Sequence, residues 1–402
     1  MVFHLNFFAK QSAINTTHQI AQNRINTNPF IRILIKSNSK QIIFCRITHN
    51  PDDSFSHRSP PLRVVNLQYQ MLKKKSILSF LKQQIAILKD SDINSAEIDA
   101  EIILEFVTGK SREFLLAHPK YELSKDQKKV YGICVDRRKS HIPIAYITGH
   151  KEFFGLDFFV TPDVLIPRPE TEMLVEEVIK FIKLKVYQVD GIKSPLKNAQ
   201  INEELAGNFP ARAGKFPEQK QLKIIDIGTG SGNIIISIAK ALNLNLPSLN
   251  FYASDISEKA LKIAKKNAKF HQVADKIKFY KSDLFANKNL PRKFDVIVAN
   301  LPYVPENKSK IKNQKSKLRS SDLLYEPQNA IFASDNGTKI IKKFLDQTQN
   351  RINKNGLILT EVDPRNAKKL QKFAKLIFRD SKIELIKDYA GLDRIIKILL
   401  RK

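Results

Sequence analysis

The segment that most constrains the fold is an apolar run that leads directly into three alternating glycines. Leu222-Lys223-Ile224-Ile225-Asp226-Ile227 comes first, Gly228-Thr229-Gly230-Ser231-Gly232 follows, and a second apolar run extends from Ile234 to Leu242. This order predicts a buried strand, a tight loop and a helix. We therefore expect an α/β domain of the Rossmann-like type, in which such a loop cradles a cofactor.

The spacing of the glycines indicates which cofactor the loop suits. A dinucleotide-binding fingerprint requires its third glycine at position 233, where this chain has Asn. The alternation at 228, 230 and 232 instead favours S-adenosylmethionine. We expect that cofactor to contact the five loop residues Gly228, Thr229, Gly230, Ser231 and Gly232.

Two further predicted strands end in acidic residues. The run Leu249 to Ser254 ends in Asp255, which is placed to accept hydrogen bonds from both ribose hydroxyls, and Ile277 to Lys281 is followed by Ser282-Asp283-Leu284-Phe285. There Asp283 is expected to accept from the adenine amino group, with Leu284 against the ring. Taken singly, each acid is as well explained as a helix cap or a solvated turn residue. Their recurrence at successive strand ends beside a glycine loop favours a binding site.

A tetrapeptide after another apolar run suggests the chemistry. Asn300-Leu301-Pro302-Tyr303 follows the strand-like run Phe294 to Ala299. An amide or exocyclic amino nitrogen has a delocalised lone pair, so methylating it requires a grip on its N–H groups. The Asn300 side-chain oxygen and the Leu301 backbone carbonyl can accept from them, and Asn300 is also expected to reach the cofactor. Asn-x-Pro is equally an ordinary turn sequence, which is the alternative interpretation.

Composition sets the outer limits. The chain has 402 residues, enough for two domains, and only two cysteines, which excludes a disulfide framework. Cysteine and histidine show no metal-ligand spacing, so we expect no metal, and no apolar stretch has the length of a membrane span. The net charge of +28 favours work near RNA or a ribosomal complex, although a lysine-rich genome would produce the same bias.

The first 70 residues differ from the rest, because residues 1 to 51 contain basic side chains and no acid. Such a leader resembles a mitochondrial transit peptide, which would place the protein in the mitochondrial matrix. The other interpretation is a spurious, disordered extension before a natural start at Met71, in a cytoplasmic protein, and we favour it.

Residues 71 to 140 are predicted to form a helical bundle that recognises the substrate. Ile77, Leu81, Ile85 and Leu88 recur at helical spacing. Asn94 with Glu97 indicates a helix start, for a helix that continues through Ile98, Ile102 and Phe106 and stops at Gly109. Ser124 with Gln127 repeats the capping-box pattern.

Alternating apolar residues with glycine turns predict a β-hairpin linker over residues 141 to 165. Pro169 then suits the first position of a helix, whose dipole Glu170 and Glu172 would complement, so neither acid is predicted to be a catalytic base. Residues 188 to 220, rich in Gly and Pro, are predicted to be a flexible insertion.

Taken together, the chain from about residue 71 onward resembles the peptide-chain release-factor glutamine methyltransferases, the HemK or PrmC group. Besides the glycine loop and Asn300 to Tyr303, the resemblance rests on four segments: Pro143 to Gly149, Leu165 to Glu172, Tyr325-Glu326-Pro327 and Asp388 to Arg394. It implies methylation, by S-adenosylmethionine, of the glutamine in the Gly-Gly-Gln loop of class I release factors. Separately, we expect the protein to be a monomer. The family usually has Pro where Leu301 stands; a backbone carbonyl serves from either residue, and Pro302 keeps Leu301 extended.

Residues 166 to 402 are accordingly expected to form a class I methyltransferase domain with a seven-stranded sheet. After Asn300 we predict a helix over 337 to 353, a strand Leu357 to Glu361, a helix over 366 to 378, and the antiparallel pair Ile383 to Ile386 and Arg394 to Leu400. Asn300 and Leu301 would hold the substrate amide while Tyr303 packs against it, and no general base is needed.

Three other functions share part of this pattern. A glutamine methyltransferase of a ribosomal protein uses the same chemistry, an adenine-N6 methyltransferase uses a similar tetrapeptide on a flipped base, and an inactive methyltransferase fold could bind RNA. The segment Pro167 to Glu172, the helical bundle and the intact site residues favour the release-factor enzyme. A basic run from Lys308 to Arg319 either steers an acidic substrate or is a solvated loop.

Overall fold

The computed structural model describes residues 76–189, 221–242, 249–306 and 322–401, together with two short strands near the N-terminus. These strands, β1 (Ile31–Leu34) and β2 (Ile43–Arg46), pair antiparallel. The disorder predicted for residues 1 to 70 stays a prediction. The rest of that leader, nearly all of the predicted insertion at 188–220 and the basic run from Lys308 to Arg319 lie outside the described residues.

Contacts divide the chain into two compact units. The first comprises Met1–Phe80 with Pro119–Glu122, and the second Leu81–His118 with Leu123–Lys402. The helix Ile77–Lys89 is divided between the units after Phe80, and the other elements described below belong to the second unit. No helix in the described parts of the chain is long and apolar enough to span a membrane.

The N-terminal helices begin and end at recognisable signals. They are α1 (Ile77–Lys89), α2 (Ala96–Thr108), α3 (Arg112–Ala117), α4 (Lys125–Lys139) and α5 (Ile144–Thr148). Helix α2 ends at Gly109, whose left-handed conformation (φ 63°) closes the helix as predicted. The predicted capping box before α4 is present, since Ser124 and Gln127 exchange hydrogen bonds between side chain and backbone.

The start of α2 was predicted wrongly. Its N-cap position is Ser95 rather than Asn94, and the Ser95 side chain makes no capping bond. Instead, the Ser95 hydroxyl donates to the Asp99 carboxylate at 2.7 Å. The serine therefore satisfies a buried acid one turn into the helix, which local sequence rules do not anticipate.

The apolar residues Ile98 and Phe106, which marked α2 in the sequence, do not form its buried face. Ile98 is 61% exposed and Phe106 is 47% exposed, whereas Ala100, Ile103 and Leu104 are buried. The cause is a polar contact, because Asp99 lies inside with Arg138 of α4, Nε to Oδ2 at 2.6 Å. The Arg138 guanidinium also donates to the Ile142 carbonyl. The ion pair turns the side of the helix that bears Asp99 inward and leaves Ile98 in solvent.

The region between the helices and the sheet is a hairpin over only part of its predicted range. Residues 144–148 form α5, and the strands β3 (His150–Phe153) and β4 (Leu156–Phe159) follow. Phe154 and Gly155 between them both have positive φ, as a two-residue hairpin turn requires. The first part of the linker predicted over residues 141 to 165 is therefore a helix, in which the buried Tyr146 donates its hydroxyl to the Val164 carbonyl at 2.6 Å.

The predicted seven-stranded sheet is confirmed. A 3₁₀ turn (Pro169–Thr171) with Pro169 in its first position leads into α6 (Glu172–Val189). The main remaining elements, in chain order, are β5 (Leu222–Ile227), α7 (Asn233–Leu242), β6 (Leu249–Asp255), α8 (Glu258–Phe270), β7 (Ile277–Lys281), β8 (Phe294–Ala299), β9 (Val304–Pro305), α9 (Gln328–Ile331), β10 (Phe332–Ala333), α10 (Lys339–Thr348), β11 (Ile352–Glu361), α11 (Pro364–Ile377), β12 (Lys382–Lys387) and β13 (Asp393–Leu399). A 3₁₀ turn (Asp322–Tyr325) and a short kinked helical turn (Ser334–Gly337) lie among them.

The strand order in this sheet is β12-β13-β11-β8-β5-β6-β7. The strands β11, β8, β5, β6 and β7 run parallel, and β13 is antiparallel to both of its neighbours, as predicted for the last two runs. Apolar clusters cover both faces, one with α6 and α7 and the other with α10 and α11. Burial on both faces explains why β5 and β8 are nearly continuous apolar runs.

The register of the parallel strands aligns their ends. Ala299 of β8 pairs with Ile227 of β5 and with Thr360 of β11, and Ile227 pairs with Ser254 of β6. The next residue of each strand therefore falls in one row at the carboxyl edge of the sheet. The row contains Gly228, Asp255, Asn300 and Glu361.

The buried pair in the helical region gives a stability prediction. Arg138→Met leaves the Asp99 carboxylate buried without its cationic partner, so we expect the free energy of unfolding to fall by about 3–5 kcal/mol. Urea unfolding followed by circular dichroism measures it. The double variant Asp99→Leu/Arg138→Met should lose much less, because no charge then remains buried.

Lys139→Met serves as the matched control, since it removes a surface ion pair with Asp136 on the same helix. Such pairs contribute about 0–1 kcal/mol. If Arg138→Met and Lys139→Met lower the unfolding free energy equally, the buried pair stabilises the protein no more than a surface pair does. It would then not be what holds the Asp99 face of α2 inward.

Candidate active site

A cavity of about 310 Å³ lies at the carboxyl edge of the sheet, where the aligned strand ends meet. That volume is at the lower end of small-molecule sites. Its lining contains most of the residues predicted from the sequence: Gly228, Thr229, Gly230, Ser231, Asp255, Asp283, Leu284, Asn300, Leu301 and Pro302. Gly232 and Tyr303 are absent from the lining.

Two of the loop glycines are needed for packing. Gly228 has φ 75°, and a Cβ there would lie 2.9 Å from Cδ2 of Leu301. Gly232 has φ 82°, and its Cβ would meet Ile236 at 2.8 Å and Ala264 at 3.2 Å. Gly232 therefore lets the glycine loop approach α8 and does not face the cavity. Leu301, 5% exposed, fills the space above Gly228 and joins the two loops.

Asp255 organises the glycine loop as well as facing the cavity. Its Oδ2 accepts from the Gly230 N–H at 2.9 Å, and its Oδ1 accepts from the Ser257 N–H at 2.8 Å. The N-cap of α8 is Ser257, so the alternative interpretation of Asp255 as that cap does not hold. Burial raises the pKa of the Asp255 carboxyl, and the three backbone N–H groups around it oppose the shift. Each oxygen keeps a further lone pair for a ligand hydroxyl.

Asp226 lies beneath the loop and is fully buried. The Thr229 hydroxyl donates to its Oδ2 at 2.7 Å. Burial raises the pKa of this carboxyl to about 7, the Thr229 hydrogen bond lowers it, and the charge of nearby Asp255 raises it further. Asp226 therefore supports the loop from inside the protein.

Asp283 and Leu284 line the side of the cavity beyond β7. Asp283 forms an ion pair with Lys343 of α10, Oδ2 to Nζ at 2.6 Å, with both side chains about half exposed. Leu284 is buried in the left-handed conformation, φ 50°, and its carbonyl accepts the Ser282 hydroxyl at 2.7 Å. A non-glycine residue held at positive φ is strained backbone, which tends to occur at functional sites. The contact of Asp283 with an adenine amino group stays a prediction.

Hydrogen bonds to Thr171 and Glu361 hold the loop from Asn300 to Tyr303 in place. Nδ2 of Asn300 donates to Oγ1 of Thr171 at 3.0 Å, and the Tyr303 hydroxyl donates to Oε1 of Glu361 at 2.7 Å. The Tyr303 ring packs with the cluster between the sheet, α10 and α11. Since Tyr303 does not line the cavity, its predicted packing against the substrate amide stays a prediction, and its observed contact is with Glu361.

Sequence reasoning missed several residues that shape this site. Arg168 lines the cavity and forms an ion pair with the buried Glu326, which also accepts the Ile166 N–H at 2.9 Å. Thr171 lines the cavity and donates to Glu361. Arg168, Thr171 and Glu326 belong to segments that carried the family resemblance. The only sequence signal for Glu361 was its position as an acid at the end of a predicted strand, as for Asp255.

The residues present fit S-adenosylmethionine. The glycine loop leaves open space at Gly230, where an added Cβ would meet nothing within 4 Å. Beside it, the buried Asp255 carboxylate offers acceptors for hydroxyls, and Leu284 offers an apolar surface. In the described parts of the chain, no cluster of His, Cys, Asp and Glu could hold a metal ion.

Comparisons with known proteins agree with this geometry. Residues 79–149 match the PrmC N-terminal domain, and residues 218–381 match a methyltransferase domain. A release factor glutamine methyltransferase of Coxiella burnetii is 33% identical over 328 residues, covering 81% of this chain and 98% of that protein. One of Flavobacterium psychrophilum is 33% identical over 333 residues, covering 82% and 100%. A bifunctional methyltransferase of Rickettsia bellii is 32% identical over 73% of this chain, which spans only 49% of that protein.

The fold and the site together define a class I methyltransferase with a helical N-terminal region. At this identity, maintained over nearly the whole length of its relatives, the chain belongs to the release factor glutamine methyltransferase family. Families of this fold generally use S-adenosylmethionine.

Asp226 gives a prediction on pH and stability. The pKa of its carboxyl in the folded protein, about 7, lies above the ordinary value of 3.8. The carboxyl therefore contributes most to stability below pH 4, and that contribution is lost as the pH rises to 7. Asp226→Asn removes the titration, so we expect the wild type to lose unfolding free energy relative to this variant across that range.

Urea unfolding of both proteins at several pH values tests this, because other titrating groups cancel in the difference. A difference that stays constant between pH 4 and 7 would show that Asp226 titrates at an ordinary value.

Proposed function

We propose that the chain transfers a methyl group from S-adenosylmethionine to the side-chain amide nitrogen of the glutamine in the Gly-Gly-Gln motif of class I peptide chain release factors. The observation that carries the proposal is the state of the Asn300 amide. Its nitrogen is held by Thr171, and no described residue donates to its Oδ1, in a side chain that lines the cavity beside the glycine loop. An unused amide oxygen at that position is an acceptor for a substrate N–H.

The geometry supports catalysis by positioning. The glutamine amide has two N–H groups, and Oδ1 of Asn300 and the Leu301 carbonyl provide one acceptor each. Gripping both orients the nitrogen lone pair, which delocalisation otherwise makes a poor nucleophile. Leu301 is held by its own burial over Gly228, so a backbone carbonyl is presented without the usual Pro.

The cofactor, when bound, supplies an electrophilic methyl group on a sulfonium. The glycine loop and Asp255 would hold its amino acid and ribose parts, and Asp283 with Leu284 would contact the adenine. The mechanism requires no general base, because the methylated amide loses its proton to water after transfer.

The partner proposed is the release factor itself, recognised in part by the helices within 79–149. The two alternative substrates, a ribosomal protein and a nucleic acid, are tested in parallel with the release factor. A monomeric state, proximity to RNA, a cytoplasmic location and the division into a bundle (71–140) and a catalytic domain (166–402) stay predictions.

Mass spectrometry provides the direct test of the proposed function. A class I release factor is incubated with the enzyme and isotope-labelled S-adenosylmethionine, and we expect one labelled methyl on the glutamine of Gly-Gly-Gln. A release factor with that glutamine replaced by Ala is the control. Label found only on ribosomal proteins or on RNA incubated in parallel would overturn the proposal.

Asn300→Ala removes the acceptor for the substrate amide. We expect the turnover number to fall by about 10²- to 10³-fold, the usual cost of one preorganised hydrogen-bonding group. Calorimetry should show S-adenosylmethionine affinity within a few-fold of wild type. A turnover number close to wild type would mean that Asn300 does not grip the substrate.

Asp255→Ala should instead weaken cofactor binding. It removes a charged acceptor for the ribose and frees the Gly230 N–H, so we expect the dissociation constant of S-adenosylmethionine to rise by about 10- to 100-fold. Calorimetric titration measures it, with Asp380→Ala as the control because that acid is exposed and outside the cavity lining. If Asp255→Ala leaves the dissociation constant of S-adenosylmethionine unchanged, Asp255 only supports the glycine loop and does not bind the cofactor.

A further inference from the structure

A buried chain of hydrogen bonds runs from the cavity to the end of β11. Nδ2 of Asn300 lies 3.0 Å from Oγ1 of Thr171, and that oxygen lies 2.6 Å from Oε2 of Glu361. Thr171 and Glu361 are 2% and 1% exposed, so water does not compete for these groups. The three residues come from three separate elements and meet only in the folded protein.

The chain has a fixed direction. A carboxylate accepts hydrogen bonds and cannot donate them, so the single hydroxyl proton of Thr171 points to Glu361. The Thr171 oxygen can then only accept from Asn300, and it therefore faces the amide nitrogen. The separation of 2.6 Å is typical of a hydroxyl bound to a charged carboxylate.

The second oxygen of Glu361 secures the same loop. This oxygen accepts the Tyr303 hydroxyl at 2.7 Å. One carboxylate therefore holds both ends of the loop from Asn300 to Tyr303: it binds Tyr303 directly and Asn300 through Thr171. Burial raises the pKa of the Glu361 carboxyl. The hydrogen bonds from Thr171 and Tyr303 and the positive charge of Arg394, which Asp388 holds at 3.0 Å, oppose that shift and favour the ionised form. The segment Asp388 to Arg394 thus has a physical role, because its internal ion pair holds the charge that acts on Glu361.

We propose that Glu361 and Thr171 are positioning residues that determine which end of the Asn300 amide faces the substrate. With the nitrogen turned to Thr171, Oδ1 always faces the cavity as an acceptor for the glutamine N–H. If the relay were reversed, the Asn300 NH₂ group would face the substrate NH₂ group, and two donors would oppose each other. The inference rests on the proposed function and extends it to residues that do not touch the substrate.

Thr171→Val tests the relay, because it removes the hydroxyl and keeps the branched side chain. We expect the turnover number for methylation of the release factor to fall by about 10- to 100-fold, as is usual for residues that orient a reacting group. The calorimetric affinity for S-adenosylmethionine should stay within a few-fold of wild type. Thr171→Ser keeps the hydroxyl and should restore most of the turnover.

Thr348→Val is the matched control for loss of a buried threonine hydroxyl. That hydroxyl donates to the Phe344 carbonyl within α10 and makes no contact with the site. Melting temperatures of both Val variants separate stability from activity. If Thr348→Val lowers turnover as much as Thr171→Val, the effect is one of general stability and the proposal is overturned.

A double-mutant cycle distinguishes orientation of Asn300 from any other role of Thr171. Once Asn300 is Ala, no amide remains to orient, so adding Thr171→Val should change turnover by less than about threefold. A structural role would lower turnover by the same factor in both backgrounds. Equal factors would therefore overturn the proposal.

Glu361→Gln examines the acceptor at the end of the relay. The Gln amide can donate to Thr171, which would then donate to Oδ1 of Asn300 and turn the amide nitrogen to the cavity. We expect turnover to fall by about 10-fold or more, with no matching loss of melting temperature. Wild-type turnover in Glu361→Gln would show that the relay does not need a carboxylate, and the proposal would fail.

The two proposals fail in different ways. If the wild type does not methylate the release factor, the proposed function is wrong whatever the variants do. If the wild type methylates it and Thr171→Val is as active, only the positioning role is wrong.

Discussion

The site depends on the hydrogen-bonded register of β8 between its two parallel neighbours. Pairing of Ala299 with both Ile227 and Thr360 fixes the level at which three strands end, and the pairing of Ile227 with Ser254 adds a fourth. A slip of one residue would turn every side chain of a strand to the opposite face, so the apolar clusters on both faces of the sheet resist it. Register thus aligns four separate strand ends in one row at the edge of the cavity.

Around that row, the protein buries four acids, and each accepts at least one hydrogen bond. Asp226 is held by the Thr229 hydroxyl, Asp255 by backbone N–H groups, Glu326 by Arg168 and a backbone N–H, and Glu361 by two hydroxyls. Buried carboxylates need such partners because desolvation is otherwise too costly. The acids rigidify the loops that a methyltransferase uses for positioning.

Much of this could be predicted because strand ends and glycine loops are local signals. Asp255, Asp283 and Asn300 each follow an apolar run that forms a strand, so their place at the carboxyl edge follows from topology alone. The errors arose where distant contacts overrule local pattern. Ile98 and Phe106 recur at helical spacing, but the buried pair of Asp99 with Arg138 turns the opposite side of the helix inward. The start of the linker predicted as a β-hairpin is a helix, in which the Tyr146 hydroxyl donates to the Val164 carbonyl.

The sequence by itself determined the order of strands and helices, the loops that would meet at one edge, and the family, because these depend on residues near each other in the chain. Only the tertiary structure decided how the loops are held. Thr171 and Glu361 are 190 residues apart, and Arg168 and Glu326 are 158 apart. Hydrogen bonds act over about 3 Å, so such pairs exist only once the sheet and its helices have brought them together. The apolar periodicity that encodes the sheet contains no information about which polar partners will meet.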